Sequence, residues 1–179
     1  EEYKRMVGNG IPKLVERFAP EGARDEATLK AALEQFSARY DAHKEDKTAA
    51  YPGMVDLIAR LKAAGVNMAV LTNKADPMAR PVVNAYYPGL FPTVQGALPG
   101  MPTKPDPTLL HKLMERMHAT RENTLFVGDS NVDIRTAKNG GLTGCGVLWG
   151  FRSRQELETE GADVLVQTPE ELERVILGQ

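Results

Sequence analysis

Two aspartates, Asp129 and Asp133, stand four residues apart in the segment 125–141, LFVGDSNVDIRTAKNGG. The apolar run 125–127 predicts a buried strand of a parallel sheet, and the residues after the aspartates predict a helix that ends at a glycine pair. Both carboxylates would then lie at the carboxyl end of a strand, where α/β sheets bind ligands. Carboxylates this close repel each other unless one is protonated or a cation lies between them. The pair therefore suits a hard cation such as Mg²⁺.

Three further polar residues fall at a predicted strand end or in a loop. Thr72 and Asn73 follow the apolar run 66–71, and Lys104 lies in a proline-rich loop. A hydroxyl, an ammonium group and a carboxylate–metal site are what phosphate chemistry requires, because they neutralise and orient a transferring phosphoryl group. Each residue also has a plain alternative: Asp129 could be a turn or cap residue, Thr72 a helix cap, Asn73 a loop residue and Lys104 a surface lysine. The ordered set, rather than any one member, indicates phosphate chemistry.

Composition narrows the classes of partner. The chain has a net charge of −2, with 42% hydrophobic and 26% charged residues, which is typical of soluble globular proteins. It offers no general basic field for nucleic acid and no polybasic membrane patch, and its apolar runs are too short to span a bilayer. The sequence start has no signal-peptide pattern, and a single cysteine fits a reducing compartment. We therefore expect a cytoplasmic protein that binds neither nucleic acid nor membrane.

Cysteine and histidine chemistry is not expected here. Cys145 lies in an apolar strand pattern, so we interpret it as a buried small residue rather than a nucleophile. The histidines have no metal-ligand spacing among them, and we interpret all of them as structural or surface residues: His43, His111 and His118.

The first part of the chain predicts a small helical unit. Residues 1–47 carry apolar residues at helical spacing on two segments, which predicts an antiparallel helix pair. The turn Gly8-Asn9-Gly10 ahead of the first helix could hold backbone close to a ligand, although such turns are more often plain chain reversals. Residues 48–53 predict a linker.

From residue 54 to residue 179, helices and strands alternate. The predicted strands are 66–71, 93–96, 125–127, 142–149 and 162–166. The predicted helices begin near Pro52, Asp76, Asp106 and Thr168, with one more after the aspartate pair and a short one between the last two strands. Such alternation predicts an α/β fold with a doubly wound parallel sheet and helices on both faces.

These motifs and their order resemble the haloacid dehalogenase (HAD) superfamily of phosphohydrolases, and within it the phosphoglycolate phosphatase-like group. Thr72 in VLTNK is similar to the second motif of the superfamily, and Lys104 in TKPDP to the third. Asp129 and Asp133 in VGDSNVDIRTAKNGG are similar to the fourth motif, which is the most specific. The resemblance covers the whole chain. It implies a Rossmann-like core over 54–179.

The resemblance also implies roles for these residues. Asp129 would be a Mg²⁺ ligand. Asp133 would be either a ligand through water or a residue that supports the metal ligands, and it would also be positioned to interact with Lys104. Thr72 and Lys104, together with Asp133, would be catalytic. The substrate and its phosphate would be bound by Thr72, Asn73 and Lys104 of the core and by Gly8, Asn9 and Gly10 ahead of the first helix. The segment 1–47 would be a mobile helical cap, hinged near 48–53, that excludes water and contacts the rest of the substrate.

One motif of the superfamily is missing. Its first motif, a strand followed by Asp-x-Asp that supplies the nucleophile and the general acid/base, does not occur in this sequence. We therefore expect a Mg²⁺-dependent phosphatase of a small monoester such as phosphoglycolate, acting through an aspartyl-phosphate, with its nucleophile upstream of residue 1. The core would lack its first strand. Because covalent catalysis requires its nucleophile, we expect no turnover and weak metal binding from the 179 residues alone.

Other interpretations differ in how well they fit. A receiver-type signalling domain is disfavoured, because its acids come early in the chain and its lysine last. A HAD phosphomutase or pyrophosphatase remains open, since the shared motifs do not separate these activities. A catalytically inactive HAD-fold binding module also remains open: the missing first motif favours it, and the retained polar residues disfavour it. We expect a small-molecule phosphate ester as the partner, and a monomer or homodimer.

Overall fold

A computed structural model describes residues 10–43 and 46–178. The chain divides into two compact units, 1–49 and 50–179. The first unit contains helices α1, Ile11–Phe18, and α2, Glu26–His43, with a 3₁₀ turn at Glu21–Ala23 between them. The two helices pack against each other, as the spacing of apolar residues predicts.

The second unit alternates strands and helices. Its elements are α3 (Met54–Ala63), β1 (Ala69–Ala75), α4 (Asp76–Tyr86), β2 (Thr93–Ala97), α5 (Thr108–Arg116), β3 (Leu125–Gly128), α6 (Asn131–Gly140), β4 (Thr143–Val147), α7 (Arg154–Thr159), β5 (Val164–Val166) and α8 (Pro169–Leu177). β1 pairs with β2, and β4 lies between β3 and β5; every pairing is parallel. The predicted α/β class is confirmed.

Helices cover both faces of the three-stranded sheet. Successive strand residues point to opposite faces. Cys145 and Val147 of β4 pack in one core cluster with α3 and α8 residues such as Leu57 and Leu172. Phe126 of β3 packs in a second cluster with residues of α5 and α6: Leu110, Met114 and Ala137. The doubly wound arrangement that the alternation predicts is therefore present.

β3 lies at an edge of the three-stranded sheet and is less well covered than β4 at one position. In the part of the chain that the structure describes, β3 pairs with β4 only. Val127 is in register with Cys145, yet it is 39% exposed while Cys145 is fully buried. The prediction of a buried β3 is therefore wrong at Val127, because the helices that cover Cys145 do not extend over it.

The predictions of a buried Cys145 and of structural or surface histidines are confirmed. Burial raises the pKa of the Cys145 thiol to about 11, so the group is neutral and packs as a small apolar residue. All three histidines are exposed, and the ring of His111 contacts the carbonyl oxygen of Gly140 at 3.3 Å. Within residues 10–43 and 46–178, no helix is both long and apolar enough to cross a membrane.

Candidate active site

Thr72 and Asn73 lie in a bulge near the carboxyl end of β1. Between the pairs Leu71–Gln95 and Ala75–Ala97, three residues of β1 stand opposite a single residue of β2. The strand thus begins at Ala69 rather than at Val66 and runs through Thr72 and Asn73, where its end is predicted, to Ala75. Ala75 is the N-cap of α4, which excludes Thr72 from that role. The Thr72 hydroxyl accepts a hydrogen bond from the Lys74 N–H at 3.1 Å. Bulges re-aim side chains next to functional sites.

Asn73 holds the loop that carries Lys104. Its Nδ2 donates to the Lys104 carbonyl oxygen at 2.9 Å, and its Oδ1 accepts from the Lys104 N–H at 2.8 Å. An amide side chain offers one donor and one acceptor side by side, so it can satisfy both backbone groups of one residue. The loop between β2 and α5 is thereby fixed to the bulge of β1.

Replacing Asn73 with alanine should cost about 1–3 kcal/mol of stability, because two partly buried backbone groups lose their partners. Urea denaturation measures the change. The matched control is Asn67→Ala, since Asn67 is exposed and makes one long bond, from Nδ2 to the Met117 carbonyl oxygen at 3.4 Å. That variant should stay within about 0.5 kcal/mol of the parent. Equal effects from both substitutions would contradict the assigned role of Asn73.

Lys104 and Asp133 form a buried ion pair. Lys104 Nζ lies 2.6 Å from Asp133 Oδ1, and the two side chains are 13% and 9% exposed. The other oxygen of Asp133, Oδ2, accepts from the Ser130 N–H at 3.1 Å and from the Ser130 hydroxyl at 2.5 Å. Ser130 and Asp133 also form the capping box of α6. Both oxygens of Asp133 are therefore engaged, and its negative charge is balanced by Lys104.

Asp129 has a different environment. Its Oδ2 accepts from the Phe151 N–H at 3.1 Å; none of the residues described donates a hydrogen bond to its Oδ1. Burial raises the pKa of Asp129 and the charge of Asp133 raises it further, whereas the Phe151 amide and Lys104 lower it. The negative charge of Asp129 is thus less well balanced than that of Asp133, and among the described residues its Oδ1 has no hydrogen-bond donor.

Two glycines make room for these carboxylates. A Cβ atom on Gly128 would overlap Cβ and Cγ of Asp133, and a Cβ atom on Gly150 would overlap Cβ, Cγ and Oδ2 of Asp129. The sequence interpretation missed Gly150. The signal that could have found it is its position directly after the predicted strand 142–149, at the same edge of the sheet as Asp129.

The donor set suits a hard cation in part. Mg²⁺ takes one or two carboxylates and completes its shell with water and phosphate oxygens, and Asp129 Oδ1 is an available donor of that kind. Asp133 is less suited to direct ligation, because Lys104 and Ser130 occupy its oxygens. In the described part of the chain, no group of three or more Asp, Glu, His or Cys side chains forms a metal site.

The predicted site residues fall into two groups. The structure brings Asn73, Lys104 and Asp133 into a connected set, and places Asp129 beside it; Thr72 precedes Asn73 in the bulge. Gly10 belongs to the first unit, where it precedes α1 with a φ of 84°. Gly8 and Asn9 lie outside the described residues.

Comparison with known proteins identifies the family. Residues 1–147 match the family model of haloacid dehalogenase-like hydrolases. The chain belongs to the haloacid dehalogenase-like hydrolase family. A phosphoglycolate phosphatase of Pseudomonas putida is 31% identical over 171 residues, which are 93% of this chain and 62% of that protein. The chain thus spans less than two thirds of this relative's length.

Solved structures of the haloacid dehalogenase-like hydrolases support the fold. The crystal structure of a protein from Lactobacillus delbrueckii subsp. bulgaricus has a TM-score of 0.91 and 30% identity, covering 99% of this chain and 83% of that one. A predicted phosphoglycolate phosphatase from Haemophilus somnus has a TM-score of 0.87 and 26% identity, covering 99% of this chain and 81% of its own. The parallel α/β core of this chain is therefore that of the family.

Proposed function

We propose that this chain is part of a Mg²⁺-dependent phosphatase that hydrolyses a small phosphate monoester, with phosphoglycolate as the first candidate. The observation that carries the proposal is the buried Lys104–Asp133 pair beside the unbalanced carboxylate of Asp129. The ammonium group of Lys104 is held in place by Asp133, and a carboxylate oxygen of Asp129 remains for a metal ion. The similarity to a phosphoglycolate phosphatase supports the choice of substrate.

Each residue has a proposed part in binding the phosphate. Lys104, held at its backbone by Asn73 and at its ammonium group by Asp133, supplies positive charge to the phosphoryl oxygens. Thr72 donates its hydroxyl hydrogen to one of them. Asp129 would hold Mg²⁺ directly and Asp133 through a water molecule; when bound, the metal neutralises charge on the transferring group. Asp133 keeps the ammonium group of Lys104 in place.

We propose that the nucleophile comes from a residue outside these 179. Asp133 is engaged with Lys104 and Ser130, Asp129 is assigned to the metal, and the sequence contains no Asp-x-Asp. The relative of Pseudomonas putida is longer than this chain. In the proposed reaction, a carboxylate oxygen bonds to phosphorus as the ester oxygen leaves, and water then cleaves the acyl phosphate.

The helical first unit is proposed as the cap, with 48–53 as its hinge. In this role, Gly8, Asn9 and Gly10 would contact the part of the substrate beyond the phosphate. Closure of a cap excludes water from the reacting groups. We place the protein in the cytoplasm, as a monomer or homodimer.

The experiment that tests the function has two parts. Calorimetry of the 179-residue chain should show weak binding of Mg²⁺, and binding of inorganic phosphate in the presence of Mg²⁺, without hydrolysis of phosphoglycolate. The gene product translated from its own start codon should hydrolyse phosphoglycolate only with Mg²⁺.

Each contrary result has its own meaning. Turnover by the 179-residue chain would refute the external nucleophile. Binding of phosphate by both proteins with turnover by neither would favour the inactive binding module. Faster release of phosphate from pyrophosphate than from phosphoglycolate would favour the pyrophosphatase, and conversion of a sugar phosphate to its isomer would favour the phosphomutase.

A further inference from the structure

The segment after β4 wraps closely around Asp129. The space that a Cβ atom would take on Gly150 is filled by Cβ, Cγ and Oδ2 of Asp129, which are the three nearest heavy atoms to that position. Gly150 has no positive φ in the structure, so the backbone conformation does not require glycine here. The close approach of Asp129 does.

Two backbone amides of the same segment hold Asp129 in place. The Phe151 N–H donates to Asp129 Oδ2 at 3.1 Å, and the Arg152 N–H donates to the Asp129 carbonyl oxygen at 3.2 Å. The side chain and the backbone of Asp129 are therefore both fixed by one short stretch of chain. These contacts engage Oδ2, and no residue within 10–43 and 46–178 donates a hydrogen bond to Oδ1.

We propose that Gly150 is a positioning residue for Asp129. By carrying no side chain, it lets the segment 150–152 press against the carboxylate and present its amides. The segment thereby sets the direction of Oδ1. This inference rests on the proposed function in taking Mg²⁺ as the ligand of Asp129. Because Mg²⁺ demands near-ideal octahedral geometry, a displaced carboxylate should bind it much less well.

The test is Gly150→Ala, compared with Gly146→Ala as a matched control. A Cβ atom on Gly146 would lie 2.7 Å from Leu165 Cδ2 and 3.0 Å from Leu157 Cδ1, so this substitution crowds the core without touching Asp129. By calorimetry on the gene product translated from its own start codon, Gly150→Ala should weaken Mg²⁺ binding at least about tenfold, as loss of support around a metal ligand does. Gly146→Ala should lower the melting temperature but leave the Mg²⁺ affinity unchanged.

A second measurement does not depend on the metal. Asp129→Gly removes all three atoms that a Cβ on Gly150 would overlap, so the loss of melting temperature caused by Gly150→Ala should shrink in that background. The loss caused by Gly146→Ala should not change there. If Gly150→Ala alone does not fold, recovery of a folded double variant gives the same result, and failure of the double variant while Asp129→Gly folds overturns the inference.

The two proposals can fail separately. Unchanged Mg²⁺ affinity in a folded Gly150→Ala variant overturns the role of Gly150 and leaves the proposed phosphatase intact. Absence of Mg²⁺ binding by the parent chain counts against the metal site of the proposed function. In that case, the melting temperatures decide. If Gly150→Ala lowers the melting temperature equally in the parent and in the Asp129→Gly background, the positioning role is overturned.

Discussion

Replacing Lys104 with methionine should lower the free energy of unfolding by about 3–5 kcal/mol, the usual cost of removing one partner from a buried ion pair. Lys104 is the cation that balances Asp133, and their side chains are only 13% and 9% exposed. Methionine keeps most of the aliphatic volume, so the loss reports the charge rather than a cavity. The substitution also removes the ammonium group that lies 5.7 Å from the centre of the Phe126 ring. Urea denaturation with an unchanged m-value measures the effect.

A double-mutant cycle separates the pair from its surroundings. Asp133→Asn leaves an ammonium group without its carboxylate, but an amide oxygen can still accept from Ser130. Combining it with Lys104→Met removes both charges, so the double variant should be less destabilised than the sum of the two single variants. A purely additive double variant, or a loss below about 1 kcal/mol for Lys104→Met, would show that solvent screens the pair.

The contact between Lys104 and Asp133 is one that the resemblance of the motifs to the HAD superfamily implies. The two residues are 29 positions apart, but each follows a predicted strand, and parallel strands bring their carboxyl ends to one edge. Helix boundaries were also encoded locally. Ser130 caps α6, and Thr168 caps α8 by accepting from the Glu171 N–H at 3.2 Å. Signals of this kind depend on neighbours within one helical turn.

The bulge of β1 could not be predicted from local sequence signals of this kind. The sequence around Thr72 and Asn73 reads as the end of a strand. Three residues stand opposite Gly96 of β2. Gly96 comes so close to Asp76 that a Cβ atom there would overlap the Asp76 backbone, and the Gly96 N–H donates to Asp76 Oδ1 at 2.8 Å. The hydrogen bond from the Gly96 N–H lowers the pKa of Asp76, and the hydrogen bond from Arg80 lowers it further. The pairing of Asn73 with Lys104 depends on this tertiary arrangement.

Contacts between segments that are distant in the chain are what the sequence predicts least well. The need for glycine at position 150 follows from Asp129, 21 residues earlier in the chain, and no local preference indicates it. The exposure of Val127 has the same origin, because burial depends on which helices reach a strand and not on how apolar the strand is. The sequence therefore predicts which side chains meet at the sheet edge better than it predicts how the backbone accommodates them.

Replacing Asp129 with asparagine should have opposite effects with and without metal. In the metal-free chain it removes a partly buried charge next to Asp133, while an amide oxygen can still accept from the Phe151 N–H. A gain of about 1 kcal/mol would raise the melting temperature of a chain of this size by about 2–4 °C. With Mg²⁺ at 100 times its dissociation constant, the parent chain should gain about 2.7 kcal/mol. The variant, which lacks the anionic ligand, should lose most of this gain.

The pH dependence gives an independent check on the same carboxylate. Burial and the charge of Asp133 raise the pKa of Asp129 in the folded chain, so the folded state holds this proton more tightly than the unfolded state does. Without Mg²⁺, this tighter proton binding adds to the free energy of unfolding at pH values below the pKa of Asp129 in the unfolded chain, about 3.9. The added stability is lost as the pH rises through the pKa of Asp129 in the folded chain. Asp129→Asn should remove that part of the pH dependence. Mg²⁺ should reverse its sign in the parent chain, because the metal binds the ionised carboxylate and gains affinity as the proton leaves. A parent and a variant with the same melting temperature at every pH, with and without Mg²⁺, would show that Asp129 is neither strained by its charge nor a metal ligand.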